Sequence, residues 1–190
     1  FLLVLLTSAF GGNLFAQVDN TDDLKVSANI LAQLKIEQVD SLAFGSLTTG
    51  TTTAPLMTPN VGGSPFFQSV GSTAQFGKLL ITGAAETNVE LIYPASITLT
   101  HESQPDVIHF FAHVFGAPGA APAMAASVEI TQLNVAAANA NAVVETATDG
   151  KYTLFVGGGL GQDGTGVSPL PTSTEIGVYE GTMEFEVVYN

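Results

Sequence analysis

Three histidines of this chain could supply imidazole ligands to a metal ion. His109 and His113 are four residues apart, and His101 lies on a separate segment. A spacing of four brings two imidazole rings together on a helix, where they could chelate zinc. Residues 107–115 (VIHFFAHVF) instead predict a strand, on which the two rings share a face but lie about 13 Å apart. We therefore expect these histidines to pack against neighbouring strands and to form no metal site.

A glycine motif at residues 159–164 (GLGQDG) matches the GxGxxG pattern of dinucleotide-binding loops. In those loops the turn opens a helix whose N-terminus holds the pyrophosphate. Residues 165–171 (TGVSPLP) follow here, and their glycine and prolines disfavour that helix. We therefore expect a glycine-rich loop. The chain also contains no GxSxG nucleophile motif, so we predict no catalytic residue and no enzyme.

Carboxylates occur in two groups that could act together. Glu184 and Glu186 lie two residues apart, and paired carboxylates can do acid–base chemistry when burial separates their pKa values. On an exposed strand face they more often aid solubility and protect a sheet edge. Asp19, Asp22 and Asp23 lack the glycine and distal glutamate of an EF-hand loop. We expect a solvated linker there, with calcium as the one cofactor left open.

The composition limits the function classes. The 190 residues carry a net charge of -13, with four lysines and no arginine. Nucleic acids and anionic membranes are bound by clusters of basic side chains, so both are excluded as expected partners. The chain is 46% hydrophobic, which is enough for a packed core, and it has no cysteine. Stability must therefore come from packing and hydrogen bonds in a single domain.

The N-terminal segment indicates export. Residues 1–10 (FLLVLLTSAF) form an apolar run that resembles the hydrophobic region of a signal peptide. About ten residues are too few to span a bilayer as a helix. We predict that residues 1–16 are an N-terminally truncated signal peptide, cleaved after Ala16, and that the mature protein is secreted or at the cell surface, with no membrane span. A buried N-terminal strand is the alternative.

Period-2 alternation predicts strands along most of the chain. Residues 177–189 place Met183, Phe185, Val187 and Tyr189 on one face, as in a half-buried antiparallel strand. Residues 26–36 predict a first strand of eleven residues, which exceeds the usual five or six. Further strands are predicted at residues 73–82, 88–93, 96–100, 107–115 and 152–156, and residues 127–135 are a candidate strand within the long loop of residues 116–142.

Glycine, proline and alanine mark the predicted loops. These are residues 48–65, 116–142 and 157–171, and no helix-length window shows a period of 3.6. Short strands with Gly/Pro turns indicate an all-β fold, a single antiparallel β-sandwich over residues 26–190. Residues 17–25 are an acidic linker or part of a donor-strand extension.

An ordered set of motifs resembles a family of uncharacterised secreted bacterial domains, a domain-of-unknown-function family with an immunoglobulin-like, pilin-like sandwich. The motifs are LAFG at residues 42–45, the strand of residues 76–83 ending in ITG, LIYPASITL at residues 91–99, FVGGGL at residues 155–160, and GxYxGT at residues 177–182. The residues that carry the resemblance are Leu42, Phe44, Gly45, Gly83, Gly157, Gly158, Gly177, Tyr179 and Gly181. The resemblance implies a surface or fimbrial structural role and no catalytic residues.

Two functions are expected from these observations. The first is a subunit of a bacterial surface filament, in which an N-terminal strand completes the sandwich of a neighbouring copy by β-augmentation. The candidate donor residues are Leu24, Val26, Ala28 and Ile30. Copies of the chain itself are then the main partner, and an assembly chaperone or outer-membrane machinery is a further candidate. The alternative is an adhesin or binding module that recognises a glycan or protein through its loops.

Overall fold

The computed structural model describes residues 28–130 and 139–190. Residues 31–190 form one compact unit, and residues 1–30 are assigned to another. The predicted signal peptide of residues 1–16 and the linker of residues 17–25 lie outside the described residues, as do the donor candidates Leu24 and Val26.

Strands and one short 3₁₀ helix make up the regular structure of the described residues. The strands are β1 (Lys35–Asp40), β2 (Leu56–Val61), β3 (Ser64–Gln68), β4 (Gly77–Thr82), β5 (Asn88–Pro94), β6 (Ser96–His101), β7 (Val107–Pro118), β8 (Val128–Glu129), β9 (Asn139–Glu145), β10 (Lys151–Gly161), β11 (Tyr179–Glu180) and β12 (Glu186–Tyr189), and the helix is Met124–Ala126. The predicted strands near β4, β5, β6 and β7 are confirmed, because their alternation is local and each has a partner on both sides.

Two antiparallel sheets enclose the core. The large sheet runs in the order β1-β4-β10-β7-β6-β11, with the β2–β3 hairpin joined to β10 and β8 joined to β7. The small sheet runs β12-β5-β9. Leu91 of the small sheet and Leu154 of the large sheet are fully buried in one shared apolar cluster. This arrangement confirms the predicted all-β, sandwich-like fold.

The single strand predicted at residues 177–189 is wrong, because the chain changes sheets within it. β11 pairs with β6 in the large sheet, and β12 pairs with β5 in the small sheet. Gly181 lies at the change, where a Cβ would stand 2.7 Å from the Leu99 side chain and 2.8 Å from the Thr98 carbonyl oxygen. The predicted faces are confirmed, since the alternate side chains from Met183 to Tyr189 pack on the core.

The predicted first strand at residues 26–36 is also wrong in position. Its residues 28–34 form no regular strand, and β1 begins at Lys35, which pairs with Thr82. β4 ends at Thr82, so residues before Lys35 have no ladder partner in the described part of the chain. Leu34 and Ile36 still pack on the core as their alternation predicts.

Two predicted loops contain strands. Residues 48–65 include β2 and the start of β3, and Pro59 is accommodated where the β2–β3 register is irregular, between Thr58 and Val61. Residues 116–142 include the end of β7, β8 and the start of β9. The predicted strand at residues 127–135 is reduced to β8 among described residues, and residues 131–138 lie outside them.

The glycine run of residues 157–159 continues β10 and forms no loop, contrary to the sequence prediction. A Cβ on Gly157 would lie 2.4 Å from the Met57 carbonyl oxygen. Gly158 has a φ of +151°, and a Cβ there would lie 2.1 Å from the Phe111 carbonyl oxygen. These glycines therefore allow β10 to lie close to β2 and β7 at once.

Substitution of Gly158 tests this close approach. Gly158→Ala should lower the free energy of unfolding by about 3 kcal/mol, because the methyl group has no space beside the Phe111 backbone. Gly166→Ala is the matched control, since a Cβ there meets nothing within 4 Å. Urea titration measures both, and equal stability of the two variants would contradict the packing argument.

Candidate functional site

An open groove of about 1340 Å³ crosses the inner face of the large sheet. Every strand in the order β1-β4-β10-β7-β6-β11 contributes to its lining, for example through Gln38, Leu79, Val156, Phe110, Ile97 and Tyr179. Small-molecule pockets usually measure about 300–1,000 Å³. The volume of the groove and its extension across six strands favour a stretch of polypeptide, and not a small molecule, as its occupant.

The floor of the groove is apolar and incompletely covered. Phe110, Val156 and Leu160 are buried at its base. Eight further apolar side chains that pack on the same core are only half-buried along the groove: Leu42, Phe44, Leu47, Leu79, Ile97, Leu99, Met183 and Phe185. A contiguous apolar surface of this kind is typical of an interaction site.

The first wall is formed by residues 41–47. Ala43 and Gln75 exchange backbone hydrogen bonds of 3.0 and 2.8 Å, which fix this segment. Phe44 stands edge-on to Phe110 with 6.0 Å between ring centroids. Gly45, with φ of +69°, turns the chain beside Thr73. The structure thus places Leu42, Phe44 and Gly45 of the family resemblance at the groove.

The second wall is the crossing segment, residues 181–185, which links β11 to β12. Its Met183 and Phe185 face the core, while Thr182 and Glu184 are exposed. Among the described residues, no backbone–backbone hydrogen bond outside the ladders involves Thr182 to Phe185. The crossing segment therefore lines the groove with a backbone edge that has no partner in the part of the chain that the structure describes.

Asp106 holds the segment before this wall in place. Its carboxylate accepts hydrogen bonds from the Tyr179 hydroxyl, from the Glu175 amide at 3.1 Å and from Gln162 Nε2 at 3.4 Å. The Tyr179 hydrogen bond and then the Glu175 amide keep the pKa of Asp106 below its usual value. Burial, and secondarily Asp106, raises the pKa of Tyr179 above its usual value.

His101 has a structural role beside Tyr179. Its Nδ1 accepts the Ser103 and Gln104 amides at 3.1 and 3.0 Å, so Nε2 carries the proton and lies 3.1 Å from the Ile176 carbonyl oxygen. A Cβ on Gly177 would stand 1.9 Å from Nε2, and only glycine fits there. Both ring nitrogens are therefore engaged by backbone groups.

The remaining candidate residues are not brought together. His109 and His113 are half-buried on β7, and Glu186 is exposed on β12. The motif at residues 159–164 is the end of β10 and a turn in which Asp163 accepts the Thr165 amide at 3.2 Å. Within residues 28–130 and 139–190, no three His, Cys, Asp or Glu side chains are grouped so that they could hold a metal ion.

The sequence analysis did not predict the groove or the Asp106 cluster, which is Asp106 with its hydrogen-bond partners Tyr179, Glu175 and Gln162. Asp106 and Tyr179 are 73 positions apart, and nothing local to either residue signals the other. Gly83 is the remaining residue of the family resemblance, and it lies outside the groove, where a Cβ would stand 2.8 Å from the Tyr189 hydroxyl.

Comparison with known protein families, with characterised proteins and with solved structures finds no match. The family resemblance of the sequence motifs therefore stays a prediction. In the part of the chain that the structure describes, no helix is long and apolar enough to cross a membrane.

The Asp106 cluster predicts a pH dependence of stability. Because its folded-state pKa is below the usual value, the Asp106 carboxylate stabilises the fold at neutral pH, and this contribution is lost as the pH falls through the usual carboxyl range and below it. Tyr179→Phe removes the main cause of the lowered pKa, so this variant should lose less stability over that range than the wild type. Urea titrations at several pH values measure the difference.

Glu102→Gln is the control for this prediction, since Glu102 is an exposed carboxylate on the same β6–β7 loop. It should follow the wild-type acid profile. An unchanged acid profile for Tyr179→Phe would contradict the role assigned to Asp106.

Proposed function

We propose that this protein is a secreted structural subunit of a bacterial surface filament, resembling a fimbrial subunit. Subunits assemble by β-strand complementation, in which the N-terminal segment of one copy completes the sandwich of another. The groove carries this proposal, because it combines a half-exposed apolar floor with a backbone edge that has no partner among the described residues.

The donor segment, residues 24–30, has the pattern that such a groove requires. Its odd and even positions differ in polarity, with Leu24, Val26, Ala28 and Ile30 alternating with Lys25, Ser27 and Asn29. In its described part, Ala28 is exposed and the Ile30 side chain is 92% exposed. An isoleucine this exposed favours a partner that covers it, and the groove floor provides an apolar surface.

The apolar run of residues 1–10 supports secretion, since it resembles the hydrophobic region of a signal peptide. The acidic composition, with a net charge of -13, suits a soluble subunit before assembly. Neither feature depends on the groove, so the export and assembly parts of the proposal can be tested separately.

A second candidate function is a binding module or adhesin. The β2–β3 hairpin leaves 38% of Phe66, 45% of Phe67 and 54% of Val61 exposed, and these apolar side chains lie outside the lining of the groove. Phe67 packs on Phe76 with 4.8 Å between ring centroids, so this surface is anchored to the sandwich. Exposed aromatic side chains on a hairpin suit contact with a glycan or a protein.

Assembly of purified protein tests the proposed function. Val26→Lys with Ala28→Lys places two charges on the face that enters the groove, and should abolish filaments because the apolar floor cannot solvate them. Ser27→Lys with Asn29→Lys adds the same charge on the opposite, solvent-exposed face and should leave filaments in place. Light scattering and electron microscopy distinguish the two variants.

A wild-type chain that stays monomeric at all concentrations would contradict the proposal. So would equal assembly of the two double variants. Binding of a glycan or protein by the monomer, lost on replacing Phe66 and Phe67 with alanine, would then favour the adhesin.

A further inference from the structure

We infer that the donor segment of a second copy adds a fourth strand to the small sheet, antiparallel to residues 181–186, with Lys25 opposite Glu186. This inference rests on the proposed function and specifies its partner, its acceptor edge and its register. Four observations support it: the dimensions of the groove, the strand edge beside it, the charges along that edge, and the contact between Ala32 and Tyr189.

The groove and the donor segment match in length. The floor crosses the six strands from β1 to β11, and strands about 4.8 Å apart give a floor of about 24 Å. The seven residues 24–30 span about 20 Å as a strand that rises about 3.3 Å per residue. Four apolar side chains on one face then follow the floor from one end to the other.

The acceptor edge belongs to the small sheet. β12 pairs with β5 on one side and has no strand on its other side among the described residues. The crossing segment extends this edge along the groove, and its Met183 and Phe185 already face the core. A strand added at this edge would place its own apolar face in the same layer, over Leu79 and Phe110.

Charge selects the direction of the added strand. Thr182, Glu184 and Glu186 are exposed on the outer face of the acceptor edge, and Lys25 is the only charged residue within residues 24–30. With Ser27 at the centre, opposite Glu184, an antiparallel strand places Lys25 opposite Glu186. A parallel strand places Lys25 opposite Thr182. Opposite charges across a strand pair are stabilising, which favours the antiparallel arrangement.

The exit of the chain favours a second copy as the donor. Gln38 and Asp40 of β1 line the groove, whereas Lys35 at the other end of β1 pairs with Thr82. Three residues before Lys35, the Ala32 carbonyl oxygen accepts a 2.6 Å hydrogen bond from the Tyr189 hydroxyl of β12. In the proposed register Ile30 lies opposite Gly181, about 26 Å along the edge from Tyr189, whereas the two residues from Ile30 to Ala32 span only about 7 Å. The same copy therefore cannot supply this antiparallel strand, and a second copy must.

Cysteine cross-linking tests the register, because the wild-type chain contains no cysteine. Residues directly opposite in an antiparallel pair have Cα atoms about 4.5–5.5 Å apart, which suits a disulfide. Ser27→Cys and Glu184→Cys chains are prepared separately, mixed, assembled and oxidised. We expect a disulfide-linked pair of the two different chains on a non-reducing gel.

Ser27→Cys mixed with Val128→Cys is the matched control, since Val128 is 65% exposed on β8, outside the lining of the groove. It should give no linked pair of the two chains.

Normal filaments without the Ser27–Glu184 link would overturn the register and leave the proposed function standing. Absence of filaments from the wild-type chain itself would instead overturn the proposed function.

Charge reversal tests the Lys25–Glu186 pair. Lys25→Glu should raise the concentration needed for assembly several-fold, and adding Glu186→Lys should restore the wild-type value. Adding Glu184→Lys is the control and should restore it less, because Glu184 is diagonal to Lys25. An unchanged assembly concentration for Lys25→Glu, or equal rescue by the two lysines, would overturn the pairing.

Discussion

Incomplete coverage of the large sheet is the constraint on which the other features of this protein depend. Six strands form its main path, and the small sheet that packs on them has three. Side chains such as Leu79 and Ile97 belong to the core cluster yet stay half-buried beside the groove. Burial of apolar surface is worth about 25 cal/mol per Å², so a strand that covers this floor gains a substantial part of its binding free energy from it.

Two features of the chain shape the groove around this uncovered floor. Gly181 lets the chain leave the large sheet beside Leu99 and enter the small sheet at β12, which creates a wall without ladder hydrogen bonds. Asp106 and Tyr179 hold the preceding segment against the β6–β7 loop. The acceptor edge is therefore positioned by contacts outside the groove, and its own backbone remains available to a partner strand.

The sequence predicts those parts of the structure whose signal is local. Alternation at β5, at residues 107–111 of β7 and on the two faces of residues 182–187 corresponds to burial, because each side chain's direction follows from its position in the strand. The start of β1 does not follow from alternation. Residues 26–34 alternate as well, but β4 ends at Thr82, the partner of Lys35, and offers them no partner residues. The glycines of residues 157–159 were predicted to form a loop, because glycine is favoured in turns. Glycine is equally favoured where backbones approach closely, which is its role in β10. The groove depends on side chains from six strands, and no local pattern reveals it.

Cryo-electron microscopy of filaments assembled from the wild-type chain would test directly whether a neighbouring copy fills the groove. A map at side-chain resolution shows what occupies the groove between residues 41–47 and the crossing segment. We expect an added strand from a neighbouring copy, hydrogen-bonded along residues 181–186, with Val26 and Ala28 over the floor. A groove that is empty, or filled by a segment other than residues 24–30, would contradict it.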